Sequence, residues 1–221
     1  MGANESSTVN SAASAAWFGE FAATRRSIRR YLPQAPSREV IDSLLQAAVT
    51  APSAHNRQPW RFLVIETLAT KQVLARAMGA RLRADRSRDG DAMQAVEADV
   101  ARSHARLTTA PVLVLICMSM VDMDRYTDAK RNQAERLMAL QGTSMAAQNL
   151  LLAAHAAGLG ACWMCAPLFC PEVVSVALDL PAEWEPQALV TLGYAADSGK
   201  PFRRRALGEV TRYEAGEKGA P

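Results

Sequence analysis

The chain reads as an α+β fold in which a sheet is layered with helices. Two observations carry this. Four short apolar runs, 61–66, 111–117, 159–165 and 188–194, have the length and the branched or aromatic content of strands. Between them lie longer segments whose apolar residues recur at helical spacing. Proline and glycine punctuate the joins. With 221 residues, 49% apolar and 21% charged, the composition fits one globular domain large enough for a full core. A net charge of +3 implies no nucleic-acid-binding tract. No apolar run is long enough to span a bilayer. Four cysteines give no disulfide framework, which points to a cytoplasmic protein.

Residues 1–13 are rich in Ser, Ala and Asn and lack periodicity, so a disordered tail rather than a signal peptide is expected there, with a single domain over 14–221. Trp17, Phe18, Phe21 and Ala22 suggest a helix leading into Arg25-Arg26-Ser27-Ile28-Arg29-Arg30-Tyr31. Pro33 and Pro36 then break the chain. Ser37 suits the N-cap of a second helix, whose buried face is Val40, Ile41, Leu44, Leu45 and Ala48. That helix ends near Ala51-Pro52. Next comes a short polar loop, Ser53-Ala54-His55-Asn56-Arg57-Gln58, fixed by Pro52 and Pro59 and placed for ligand contact.

The alanine-rich, charged stretch 69–106 reads as two helices broken at Asp89-Gly90-Asp91. Its Arg81, Arg83, Arg86 and Arg88 read as a solvated face with weak ion pairs to Asp85 and Asp89. A long helix follows from about Lys130 to Ala157, with Leu137, Leu140, Ser144, Ala147, Leu151 and Ala154 stacked on one face. Its small residues allow close helix packing, including against the same helix of a second subunit. Gly158 caps it. Pro171 opens a short helix before the last strand. The basic segment after Lys200 carries Arg203 and Arg205, which point the same way in an extended chain and suit a phosphate.

Taken together, four segments resemble the nitroreductase superfamily of FMN-dependent oxidoreductases in order and spacing. They are Arg25-x-Ser27-x-Arg29, Ala51 to Trp60, Gly158-Leu159-Gly160-Ala161-Cys162-Trp163 and Pro201-Phe202-Arg203-Arg204-Arg205. The resemblance covers the chain after about its first dozen residues. It implies a mostly antiparallel sheet of four to five strands wrapped by helices, in a domain-crossing homodimer. It implies FMN as cofactor, NAD(P)H as electron donor and a small conjugated or aromatic molecule as acceptor. Arg25, Arg26 and Ser27 would hold the phosphate and ribityl chain, with Arg203 and Arg205 as a second clamp. Arg29 would reach the pyrimidine edge of the flavin, where charge collects on reduction. Pro52, Ser53, Ala54 and Asn56 match positions that contact the flavin ring, commonly from the other subunit. Gly160, Ala161 and Cys162 match the main chain that passes the ring's redox edge. The helical insertion at about 69–106 would cover the flavin's open face, with His55 and Asp85 as substrate contacts.

Within the superfamily, Gly158-Leu159-Gly160, Phe169 to Val174 and Leu178 to Pro186 resemble the flavin domain of deazaflavin-cofactor biosynthesis proteins, which reduces the dehydro precursor of that cofactor. A weaker resemblance is to the dimethylbenzimidazole synthases.

Two other classes stay open on the residues alone. One is a flavin- or ligand-binding module without turnover. The other is a thiol or metal protein built on Cys162-Trp163-Met164-Cys165, but no second cysteine pair completes a metal site, and residues three apart on a strand face opposite ways. The dinucleotide fingerprint is absent, since Gly158-x-Gly160 lacks its third glycine.

Overall fold

The computed structural model describes residues 11–214. The expected tail therefore lies outside the described residues, except that Ser11–Ala13 open the first helix, α1 (Ser11–Thr24). Then follow α2 (Arg38–Ala48), β1 (Trp60–Ile65), α3 (Leu68–Arg88), α4 (Met93–Thr109), β2 (Val112–Met118) and α5 (Ala129–Ala156). The chain continues through β3 (Leu159–Met164), α6 (Pro171–Ala177), β4 (Glu185–Tyr194) and the short α7 (Leu207–Val210). The four strands form one antiparallel sheet in the order β1-β2-β4-β3.

Helices cover both faces of this sheet, which is why β2 and β4 read as unbroken apolar runs. Alternate residues of β2 go to opposite sides. Val112, Val114 and Ile116 pack with α2 and α5 through Ile41, Leu44, Ala147 and Leu150. Leu113, Leu115 and Cys117 pack with α3, α4 and α6 through Leu74, Leu107 and Val174. β4 starts at Glu185, earlier than the apolar run suggests. Pro186 cannot donate to the ladder, and a register shift between Ile116 and Cys117 accommodates it.

The turned-in face of α5 keeps Ala147, Leu151 and Ala154 of the expected stack but not Leu137, Leu140 or Ser144. Its buried residues are Glu135, Ala139, Gly142, Thr143, Ala146, Ala147, Leu150, Leu151 and Ala154. These small side chains let the helix lie close to the sheet and to the polar loop. Leu137, Leu140 and Met145 are instead left as an exposed apolar stripe. In the carboxy-terminal half Leu150 and Leu151 join the contact, whereas in the amino-terminal half Ala139, Gly142 and Ala146, which carry little hydropathic signal, face inward and Leu137 and Leu140 face out.

Two segments that carry no regular structure matter most. Residues 25–31 run along β3 at one edge of the sheet, with Ser27 bridging Ala161 and Tyr31 bridging Ala195. The loop 53–58 enters β1 at the other edge.

Candidate cofactor site

The arginine segment is held against β3 by three devices. The Ile28 N–H donates to the Ala161 carbonyl at 3.0 Å. The buried Ile28 side chain fills the space over Gly160, where an added Cβ would lie 2.7 Å from Ile28 Cγ2. Gly160 is therefore small for the sake of Ile28, a reason the sequence did not suggest. The Tyr31 hydroxyl lies 2.5 Å from the Ile28 carbonyl, to which it donates, and 2.7 Å from Thr191 Oγ1. Burial pushes the Tyr31 phenol well above its ordinary range, so it stays a neutral hydroxyl.

So anchored, the segment turns its alternate side chains outward. Arg25, Arg26, Ser27 and Arg29 line a cavity of about 200 Å³ together with Lys200, Phe202 and Arg204. Arg26 is occupied within the chain. Its Nη1 donates to Ala23 O at 2.7 Å, closing the end of α1, and its guanidinium lies 4.0 Å from the Phe202 ring centroid. Arg204 makes the same approach to Phe202 at 4.0 Å. Neither residue of the expected clamp, Arg203 or Arg205, lines the cavity; their neighbour Arg204 does. The alternation holds, but Phe202 recruits Arg204.

The charge pattern is the most telling feature. Many arginines elsewhere in the fold have carboxylate partners, among them Arg57 with Asp124, Arg61 with Asp122, Arg83 with Glu97 and Arg136 with Glu185. Among the described residues no carboxylate lies within ion-pair distance of Arg25, Arg29, Lys200 or Arg204. Unpaired guanidinium forks converging on one cavity are a donor set for a phosphate. A cavity of about 320 Å³ adjoins, with Ile28, Leu151, Leu159 and Ala161 as its apolar wall and Arg25, Arg26, His155 and Asp197 also lining it.

The Cys162 thiol donates to the Trp163 carbonyl at 3.5 Å, and burial raises its pKa above the ordinary value. Burial also pushes Cys117 up to about 12. Cys162 and Cys165 are free thiols, and Cys165 accepts the Trp163 indole N–H at 2.9 Å. A buried thiol with a raised pKa is a poor nucleophile, which speaks against thiol chemistry here.

The loop 53–58 is built for exposure of polar groups. His55, Asn56 and Gln58 all have left-handed backbones, at φ 49°, 55° and 49°. Ser53 holds this shape: its carbonyl accepts from Asn56 N–H at 3.0 Å and its hydroxyl oxygen accepts from Gln58 N–H at 2.9 Å. Gly142 of α5 seats the loop, since a Cβ there would meet Ser53 Cβ at 3.2 Å. His55 and Asn56 side chains face outward, with Pro52 exposed and Ala54 half-buried beside them. Left-handed non-glycine residues cost energy and persist where the surroundings impose them, often at ligand sites.

The loop and the arginine segment do not meet within one chain. Three strand spacings separate β1 from β3, and Ala161 is level with the far end of β1, which puts the two segments on the order of 20 Å apart. Asp85 is also remote from the arginine segment. It pairs with Arg81 at 2.7 Å and with Arg88 at 3.4 Å, and Arg81 reaches on to Glu172 of α6. The physical reason is the α3–α4 hairpin: α3 packs on α6, and α4 is the helix that reaches the arginine segment.

Comparison with known proteins bears on this arrangement. The model of the nitroreductase family matches residues 22–194. The chain belongs to the nitroreductase family. A relative from Thermus thermophilus named NADH dehydrogenase is 32% identical over 213 residues, covering 86% of this chain and 92% of its own. A 5,6-dimethylbenzimidazole synthase of Rhodospirillum rubrum is 30% identical over 174 residues, covering 77% of this chain and 78% of its own. Among solved structures, one described as a nitroreductase of Desulfovibrio desulfuricans in complex with FMN superposes with a TM-score of 0.67 at 29% identity, over 89% of this chain and 95% of that one. The α+β architecture with its antiparallel four-stranded sheet is thus the nitroreductase fold. Among the described residues no helix is long and apolar enough to cross a membrane.

Three residues of this nitroreductase escaped the sequence reading. Lys200 and Phe202 sit in the basic tail, but only the fold reveals that they close the cavity. Arg106 carried one signal: with Arg102 it forms an i, i+4 pair on α4, a spacing that puts both on one face.

Proposed function

We propose that the protein is an FMN-dependent oxidoreductase that takes electrons from NAD(P)H and delivers them to a small conjugated or aromatic acceptor. The observation that carries this reading is the cluster of unpaired cations beside Ser27, packed on the small residues of β3. The FMN-bound relative from Desulfovibrio desulfuricans supports the cofactor, and the name of the Thermus relative supports a nicotinamide donor. FMN, when bound, supplies the ring that accepts and passes on electrons.

The donor set fits FMN. Arg25, Lys200 and Arg204 would bind the phosphate, with Ser27 beside them, and Arg203 and Arg205 would add to the cationic field from the same tail. Arg29 would stabilise the negative charge that reduction places at the pyrimidine edge. Gly160, Ala161 and Cys162 would present main chain to the ring.

The protein acts as a homodimer in this reading. Separation of the polar loop from the arginines by on the order of 20 Å supports a site assembled from two copies, one giving Arg25 and Arg29, the other Ser53, His55 and Asn56. The stripe of Leu137, Leu140 and Met145, and an arm exposing Leu207, Val210 and Tyr213, supply apolar surface for that assembly.

The test is direct. Purified protein should be yellow and release FMN on heating. NAD(P)H should bleach it, and a nitroaromatic or quinone acceptor should restore the colour. A colourless protein that fails to take up added FMN overturns the proposal. A protein that binds FMN but is not reduced by either nicotinamide is a flavin-binding module instead.

A further inference from the structure

On the other side of Arg29 the structure opens a second and larger cavity, of about 560 Å³. The helix α4 forms one wall. Its Arg102, Ala105, Arg106 and Thr109 lie at i, i+3, i+4 and i+7, so a single stripe of the helix faces the opening. The opposite wall is the arginine segment with Lys200.

The charges here do not cancel. Arg106 is half-buried and has no ion pair or side-chain hydrogen bond among the described residues. Arg29 donates only to its neighbour's carbonyl, Ser27 O, at 3.3 Å. Arg102 is exposed and pairs with Asp99, which Arg86 also reaches, while Arg86 has Asp91 as a second partner. The one carboxylate lining the opening is Asp197, 3.9 Å from the highly exposed Arg30. Arg29 and Arg106 line the same cavity from its two walls.

Arg106 is half-buried and unpaired, and the exposed Arg29 on the opposite wall also lacks a carboxylate, so an oxyanion entering between them stabilises both. The flavin phosphate has its own donors in the neighbouring cavity, Arg25 and Arg204. The α4 arginines belong to neither requirement of the cofactor, and they come from the part of the chain that borders the site from outside the sheet.

We infer that Arg102 and Arg106 form an anion subsite for the second substrate, so that this enzyme favours an electron donor or acceptor carrying a phosphomonoester or carboxylate. This rests on the FMN-dependent reading above. Two sources of that oxyanion exist: the 2′-phosphate that distinguishes NADPH from NADH, or an acidic group on the acceptor.

The experiment compares FMN-loaded wild type with Arg106→Gln and with Arg102→Gln/Arg106→Gln. Apparent affinity for NADPH and for NADH is measured from the dependence of the rate of anaerobic flavin reduction on donor concentration. KM is measured for 4-nitrobenzoate and 4-nitrobenzyl alcohol at saturating donor. FMN affinity of each variant is measured alongside. The expected result is a fall of about five- to tenfold per arginine in the charged-to-neutral preference of one pair, with a weaker dependence on salt and FMN affinity within about twofold of wild type. A fall confined to NADPH over NADH assigns the subsite to the donor; a fall confined to 4-nitrobenzoate assigns it to the acceptor. Unchanged preference in both pairs overturns the inference, as does a loss of FMN affinity without a change in preference, which would return these arginines to the flavin phosphate. A wild type that carries no FMN overturns the functional reading and this inference with it; an FMN-loaded enzyme with indifferent α4 arginines overturns this inference alone.

Discussion

Gly160→Ala tests how the arginine segment is held. The new Cβ would lie 2.7 Å from Ile28 Cγ2 and 2.8 Å from Ile28 Cβ. Carbon atoms prefer about 3.5–4.0 Å, so the segment has to retreat by roughly 1 Å. That stretches the Ile28 N–H bond to Ala161 O from 3.0 Å beyond hydrogen-bonding range. Overpacking costs about 1–3 kcal/mol and the lost bond about 1 kcal/mol, together about 2–4 kcal/mol. For a domain of this size the melting temperature should fall by roughly 4–16 °C. Ser27 and Arg29 flank Ile28 and move with it, so FMN affinity should fall at least about tenfold. Gly19→Ala is the control: it lies inside α1 with nothing within 4 Å of the added Cβ, and it should be neutral or stabilising by under about 1 kcal/mol. Thermal unfolding of the apoprotein and FMN titration give both readouts. If Gly160→Ala matches Gly19→Ala in both, Ile28 does not seat the segment.

Three further outcomes are expected. Arg25→Ala should weaken FMN binding by roughly ten- to a hundredfold yet recover most activity at saturating FMN, whereas Arg29→Ala should lower the reduction potential of the bound flavin; equal potentials in the two variants would refute the separation of roles. Lys71 is buried and donates to the Ala110 and Pro111 carbonyls at 2.8 and 2.7 Å, so Lys71→Met should cost about 1.5–3 kcal/mol in denaturant unfolding, and a cost below about 0.5 kcal/mol would mean those bonds are incidental. Burial together with Arg25 and Arg26 lowers the His155 pKa below 6.5. Between that lowered value and 6.5 the unfolded chain binds a proton that the folded protein refuses, so stability is held above 6.5 and lost as pH falls through the window. His155→Gln should flatten this part of the stability–pH curve, and an unchanged slope would exclude His155 as its source.

The strands were legible because β2 and β4 are buried on both faces and so written as unbroken apolar runs. The breaks at Pro52, Asp89-Gly90 and Gly158 were legible because the backbone there needs proline or a left-handed glycine, as Gly90 and Gly158 show at φ 81° and 71°. The inward face of α5 was legible only in part: Ala147, Leu151 and Ala154 were in the expected stack, but Ala139, Gly142 and Ala146 leave no hydropathic trace. The start of β4 was hidden by Pro186, which only the register shift opposite it makes tolerable. Of the site, the arginine segment and the loop were visible as spacings, but not that Gly160 serves Ile28 or that Phe202 gathers Arg26 and Arg204. The contacts of Gly160 with Ile28 and of Phe202 with Arg26 join segments more than a hundred residues apart. Arg106 was passed over because an arginine on a charged helix looks solvated until the opposite wall of its cavity is known.

A site shared between two copies is the claim on which the rest depends, and hybrid dimers test it. One chain carries Arg25→Ala/Arg29→Ala and the other Ser53→Ala/Asn56→Ala. The two are co-expressed with different affinity tags, and dimers holding both tags are isolated. FMN bound per dimer is then measured against the two parent homodimers, which should bind little. If the site takes its arginines from one chain and its loop from the other, each hybrid has one doubly altered site and one intact site, and it should hold about half the wild-type FMN. Hybrids that bind no more FMN than their parents, or a holoprotein that sediments as a monomer with stoichiometric FMN, would contradict the account.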